Sequence, residues 1–187
     1  MKKNIVISRI KGFCSFLLLC TFAFSLQSCK EDIDDSNFAI AKDKTVTDYL
    51  VASDSLSDIK AIFDRVKLGR SDNASSLSAV LSARGNYTVF APTNSAVKKY
   101  VSSLTGSTDV SSLTYEQAQL IAFNCVIDNG TEGAYETPDF PTSGTFTLSN
   151  LNDRLLSCHQ DSTQNNSPYV INGTSTVIKE NQKVSNG

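Results

Sequence analysis

The chain has 187 residues, a formal net charge of −2, and 40 % hydrophobic residues. That is enough apolar material for one buried core, and Lys and Arg form no cluster of the kind that nucleic acid requires, so a nucleic-acid partner is not expected. A single histidine, His159, rules out a His-rich metal site, and neither a metal nor a cofactor is expected.

Residues 1–28 read as a leader. Lys2, Lys3, Arg9 and Lys11 form a basic start, and Phe13 to Leu26 is an apolar run too short to span a membrane. Removing them takes away four basic and no acidic residues, so the remainder carries −6. The run ends at Leu26-Gln27-Ser28-Cys29, which resembles the bacterial lipobox and implies that Cys29 is lipidated. The alternative is a secretory signal with an incidental Cys. Several acyl chains anchor stably where one does not, each buried CH₂ contributing about 0.8 kcal/mol. Lys30-Glu31-Asp32-Ile33-Asp34-Asp35 follows. It reads as a solvated acidic tether. Lys30, Glu31 and Asp32 also resemble the surface-export signal of lipoproteins in some Gram-negative bacteria. The expected organisation is a leader (1–28), a tether (29–44) and one domain (45–187). The expected location is the outer membrane, lipid-anchored at the cell surface, with the periplasmic face as the alternative.

Val46, Tyr49 and Leu50 open a helical pattern that Ile59, Ile62, Phe63 and Val66 continue. Leu77, Val80 and Leu81 make a short helix, with Gly85 expected at its left-handed C-terminal position. Tyr87 to Phe90 alternates as a strand does, and Pro92 should end it. Thr93 or Asn94 can cap the next helix, whose apolar stripe is Ala96, Val97, Tyr100, Val101 and Leu104, with Tyr100 expected in the core. Thr114 to Gln117 is a capping box with Leu113 as a staple on Ala118, and that helix should bury Leu120, Ile121 and Phe123. Cys125-Val126-Ile127 looks extended and Asp128-Asn129-Gly130 reads as a turn. Thr145 to Leu151 and Arg154 to Cys158 read as strands. Tyr169 to Ile171 and Thr174 to Ile178 read as a hairpin about Asn172-Gly173. Helices first and strands later give an α+β class.

Thr88-Val89-Phe90-Ala91-Pro92-Thr93-Asn94, followed by Ala96, resembles the first hallmark motif of the fasciclin domain family. Val97 departs from the pattern, which has Phe there. Leu151-Asn152 with Leu155, Val170 to Gly173 and Ser185 to Gly187 extend the resemblance in weaker form. The family often carries Tyr-His where this chain has Asn124-Cys125, so contacts of that dipeptide are not transferred. The sequence stops at Gly187 just where the second hallmark strand of the family begins, so that strand is expected to be missing. The fold implied is a wedge of antiparallel strands with helices packed on it. The role implied is extracellular adhesion or ligand binding.

No arrangement of residues points to catalysis. Cys158 and His159 are neighbours, but neighbours in a strand face opposite sides. Glu132, Glu136 and Asp139 cluster between Gly130 and Pro141, where solvated loop carboxylates are the simpler reading. Cys125 and Cys158 are either a disulfide or two unpaired buried residues. In the same loop Tyr135 and Phe140 either present a recognition surface or cover the core. Asp54-Ser55-Leu56 and Asp161-Ser162-Thr163 resemble acceptors for bacterial O-glycans. The expected function is therefore a surface-anchored lipoprotein whose partner is a protein or glycan on matrix or neighbouring cells. The alternative is a structural or accessory subunit of an outer-membrane assembly. The anchor is tested by Cys29→Ala: metabolic labelling with a fatty-acid analogue should disappear, and unchanged labelling would rule out lipidation at Cys29.

Overall fold

Four short side chains start four of the helices. Thr45 accepts from the Asp48 N–H and the Asp48 carboxylate accepts from the Thr45 N–H, a reciprocal box that opens helix α1, Val46–Val51. Ser76 caps α3, Leu77–Val80. Thr93 caps α4, Asn94–Thr105. Thr114 and Gln117 form a second box at α5, Tyr115–Asn124. Helix α2, Ser57–Arg65, follows Leu56 and has no cap from its own segment. The computed structural model describes residues 44–71, 73–163 and 167–187; the expected leader, Cys29 and the expected signal at Lys30–Asp32 lie outside them.

Six strands accompany these helices among the described residues. They are β1 Tyr87–Val89, β2 Val126–Asp128, β3 Ser143–Ser149, β4 Leu155–Gln160, β5 Tyr169–Ile171 and β6 Ser175–Thr176. All pairings are antiparallel: β1 with β2, and β3-β4-β5-β6 in order. A bridge from Ile127 to Asn150, and a bond from the Leu151 N–H to the Val126 carbonyl, join β2 to the end of β3. The class is α+β, as expected.

Two cores result. The first is helical and gathers Ile59, Ile62 and Phe63 of α2 with Leu77, Leu81, Val97, Val101, Ala118 and Ala122, closed by Tyr87 and Val126 of the strand pair. Leu113 and Ala118 are both buried in it, as a staple requires. The second lies under the larger sheet and gathers Ile127, Phe146, Leu156, Cys158 and Ile171, with Phe90, Tyr135, Phe140 and Tyr169 packed on it.

Several expectations are corrected. Gly85 is not left-handed; α3 ends at Val80 with Leu81 as its C-terminal cap, and Gly85 is small because a Cβ there would run into the Tyr87 ring, which is itself buried. The opening helical pattern is two helices, separated by Ala52 and Ser53 and a 3₁₀ turn at Asp54–Leu56. The α4 stripe is narrower than the apolar spacing implies. Val97 and Val101 are buried, but Tyr100 is 49 % and Leu104 43 % exposed, because α4 packs on α2 and the 3₁₀ turn at Val110–Ser112 through one row only. Leu120 is likewise 41 % exposed; Ala118 and Ala122 face α2 instead, and small side chains let the two helices approach. The hairpin turns in three residues, not two. Asn172 (φ 51°) and Gly173 (φ 71°) have the positive angles expected, but the register pairs Ile171 with Ser175. Asn172 is drawn toward β4, accepting the Ser157 N–H on Oδ1 and donating its own N–H to the Ser157 carbonyl. Leu151-Asn152 lies in the turn after β3.

Asn94 supplies the cap that α2 lacks. Its Oδ1 accepts the Asp58 N–H at 3.0 Å, and its Nδ2 donates to the Asp54 carbonyl at 2.8 Å and to Ser57 Oγ at 2.9 Å. One side chain in the first turn of α4 thus satisfies the orphan groups at the start of α2. Asn94→Ala should cost about 1–2 kcal/mol. Thermal unfolding should show this as a drop of roughly 2–8 °C per kcal/mol. An unchanged midpoint would show that the bridge contributes nothing.

Candidate functional site

The strand β1 and the loop after it do more than start a helix. The backbone from Asn86 to Thr93 forms one wall of an open cleft of about 1210 Å³. Thr174 to Lys183 also lines it, as does the half-exposed Tyr100 of α4. Tyr100, expected in the core from its helical spacing, instead lines this cleft. Tyr49 is a second aromatic in the cleft, held by Gln182 at 3.2 Å and by Lys179, whose Nζ reaches the Tyr49 hydroxyl at 3.1 Å. Nothing in the spacing of Tyr49, Lys179 and Gln182 foretold their meeting, since they are joined only by the fold.

The C-terminal segment, which contributes Val184, Ser185 and Gly187 to the lining, is itself pinned in place. Asn186 is 3 % exposed; its Oδ1 accepts the Val46 N–H at 2.9 Å, and its Nδ2 donates to the carbonyls of Leu81 and Ala83 at 2.8 and 2.7 Å. Its own carbonyl accepts the Tyr87 N–H at 2.9 Å. Each buried group it satisfies would otherwise cost roughly 1–3 kcal/mol.

Tyr135 and Phe140 are brought together, and both turn inward. Phe140 packs edge-on against Phe146 (5.0 Å between centroids) and Tyr169 (5.1 Å), and lies 5.8 Å from Phe90. The Tyr135 ring lies 5.1 Å from Phe146, and its hydroxyl meets Thr147 Oγ1 at 2.6 Å. The pair therefore covers the second core while still lining the cleft. A buried polar chain holds their loop: Thr88 Oγ1 donates to Asn129 Oδ1 at 3.0 Å and accepts the Tyr135 N–H at 2.8 Å, and Asn129 Nδ2 donates to the Gly133 carbonyl. Thr88 of the motif is thus the anchor of the loop.

The remaining motif residues divide by role. Val89 packs on the first core, Phe90 on the second, and Ala91 on the first. Pro92 follows the strand and Thr93 caps α4. The acidic loop residues serve local structure. Asp139 accepts the Glu136 N–H at 3.0 Å, and Glu136 pairs with Lys183 at 2.7 Å across the cleft wall. His159 is exposed on β4 while Cys158 beside it is buried, so the two diverge as a pleated strand demands. Ser55 is exposed, and the Asp161 carboxylate accepts from the N–H and hydroxyl of Thr163.

Cys125 and Cys158 are free thiols, one packed on each core, so they form no disulfide. Burial pushes both pKa values up, that of Cys125 to about 12 from its ordinary 9.0. The thiolate is the reactive form, so both should resist alkylation at pH 8 in the native protein and react at once on unfolding. A raised native value means that the unfolded chain loses the Cys125 proton first as pH rises. Stability should therefore be full below about pH 9 and fall toward pH 12, more steeply than in Cys125→Ala. Equal slopes in urea unfolding across that range would refute the burial of this thiol.

Two comparisons bear on the architecture. No curated protein matches the chain at a significant level. The family model of the Fasciclin domain matches residues 67–187, a span that takes in the motif strand, the Thr174 to Lys183 lining of the cleft and the whole of the second core. Fasciclin domains commonly serve adhesion and ligand binding and are generally not enzymes. With well over half of its length inside that match, the chain belongs to the fasciclin domain family.

Proposed function

We propose that this chain is a lipoprotein anchored at the outer surface of the outer membrane through Cys29, and that its fasciclin domain binds a protein or glycan on matrix or neighbouring cells. The observation that carries the binding half is the cleft. It is open and bounded by the motif strand, and at about 1210 Å³ it exceeds the roughly 300–1,000 Å³ of ordinary small-molecule pockets. Tyr49, Tyr100 and Phe140 line it among polar groups, a composition that suits recognition of another macromolecule. The anchoring half rests on the sequence from Leu26 to Asp35.

The test uses intact cells. Protease added from outside should digest the wild-type domain, and replacing Glu31 and Asp32 with Ala should protect it. Tyr100→Arg, at an exposed position in the cleft lining, should leave display unchanged and reduce capture of partner material at least ten-fold. A wild type that resists protease until the cells are broken would overturn surface display. A stoichiometric complex with membrane proteins of the same cell, and no capture from outside, would favour the accessory-subunit role over adhesion.

A further inference from the structure

Asparagine precedes glycine three times, at Asn129-Gly130, Asn172-Gly173 and Asn186-Gly187. Such a pair can close on itself, because glycine has no Cβ to hinder its own nitrogen. The fold treats the three differently. Asn129 is 4 % exposed: its Oδ1 accepts from Thr88 Oγ1, its Nδ2 donates to the Gly133 carbonyl, and the Gly130 N–H is held by Asp128 Oδ1 at 2.9 Å. Asn186 is as deeply buried, both its amide atoms are engaged, and the Gly187 N–H donates to the Val184 carbonyl. Asn172 is exposed, in the turn between β5 and β6. Among the described residues no acceptor takes its Nδ2 protons or the Gly173 N–H. Its Oδ1 accepts the Ser157 N–H at 3.0 Å and lies 3.4 Å from Ser157 Oγ.

We propose that Asn172 is a site of self-modification, where the folded chain deamidates through a cyclic imide while Asn129 and Asn186 are preserved. The Gly173 nitrogen attacks Cγ of Asn172. The Cγ–Nδ2 bond breaks, and ammonia leaves with the proton given up by the Gly173 N–H. Water then opens the ring, either at Cγ, which leaves aspartate, or at the main-chain carbonyl, which leaves isoaspartate. One water enters, one ammonia leaves, and nothing is oxidised or reduced. Negative charge gathers on Oδ1 as the nitrogen adds, and the Ser157 N–H already points there, a placement that favours the step. The departing Nδ2 has no bond to lose. Attack needs rotation about the Asn172 Cα–C bond, and β6, two residues long, gives the turn little with which to resist it. At the two buried sites the same rotation would strip partners from distant backbone and side-chain groups and leave them unsatisfied. Isoaspartate carries an extra carbon in the main chain, so it shifts the pairing of Ile171 with Ser175. Asn172 and Thr174 to Ile178 line the cleft, so the modification reshapes that lining whatever it binds, and the inference does not depend on the binding reading above.

The experiment ages the full chain, purified in detergent, at pH 8 and 37 °C and follows it by peptide mass mapping. Residue 172 should exchange NH₂ for OH at least ten-fold faster than residues 129 and 186, with ammonia released in step. An isoaspartyl methyltransferase should label the peptide that holds residue 172. Unfolded in urea, the three sites should react at similar rates, since the fold alone separates them. In the aged protein the Val177 amide, bonded to the Tyr169 carbonyl, should exchange hydrogen at least ten-fold faster, while that of Val101 in the helical core is unchanged. Asn172→Gln keeps a side-chain amide but closes only to a larger, slower ring, so it should remove the label and slow ammonia release at least ten-fold. Three results would each overturn the proposal. One is an intact Asn172 in the folded protein over a time in which the unfolded chain converts. Another is equal conversion at all three sites in the folded protein, which marks reaction through global unfolding. The third is aspartate without isoaspartate at 172, which marks direct hydrolysis and no cyclic imide.

Discussion

The strand pair β1–β2 has two buried faces, and the rest of the domain depends on that. Successive residues of a strand point to opposite sides, so three or four residues must serve two cores at once. Val126 and Ile127 are adjacent and both fully buried, the first against the helices, the second under the larger sheet. Tyr87 and Val89 face the helical core, while Phe90 faces the aromatic cluster. Thr88 lies on the aromatic side and is polar, and it is satisfied by Asn129 and by the Tyr135 N–H. A one-residue slip would send all of these to the wrong side, so the register is tightly specified.

Short polar side chains then lock elements to the pair. Asn94 fastens α4 to the start of α2, and Asn186 fastens the C-terminal segment to α1, to the end of α3 and to β1. Neither contact is an ion pair, and the ion pairs Lys60–Asp64, Lys98–Asp58 and Lys183–Glu136 each have at least one partner that is half-exposed or more. Such pairs contribute little, about 0–1 kcal/mol each. Hydrogen bonds from amide side chains to backbone that would otherwise be orphaned matter more. The motif Thr88 to Asn94 is therefore first a piece of architecture, and its link to binding runs through the cleft wall that the same backbone forms.

Much of this was legible residue by residue. Caps and boxes are local, so Thr93, Thr114 and Gln117 stand where spacing placed them, whereas β1 stops at Val89, short of Pro92. The aromatic loop was ambiguous because an apolar residue in a loop looks the same whether it faces inward or outward. Contact with Phe146 and Tyr169, distant in sequence, decided it for Phe140. Helix stripes misled at Tyr100, Leu104 and Leu120. Periodicity marks an apolar face but not how wide a neighbour will cover it, and α2 covers one narrow row on each of α4 and α5.

The sequence by itself determined the class, the element order and the hallmark motif, because each rests on short-range rules of capping, alternation and hydrophobic periodicity. Only the tertiary structure decided that Asn94 and Asn186 bridge separate segments, and that Tyr49, Lys179 and Gln182 meet in one cleft. Those facts join residues dozens of positions apart, and no local preference of the chain encodes which distant partner a side chain will meet.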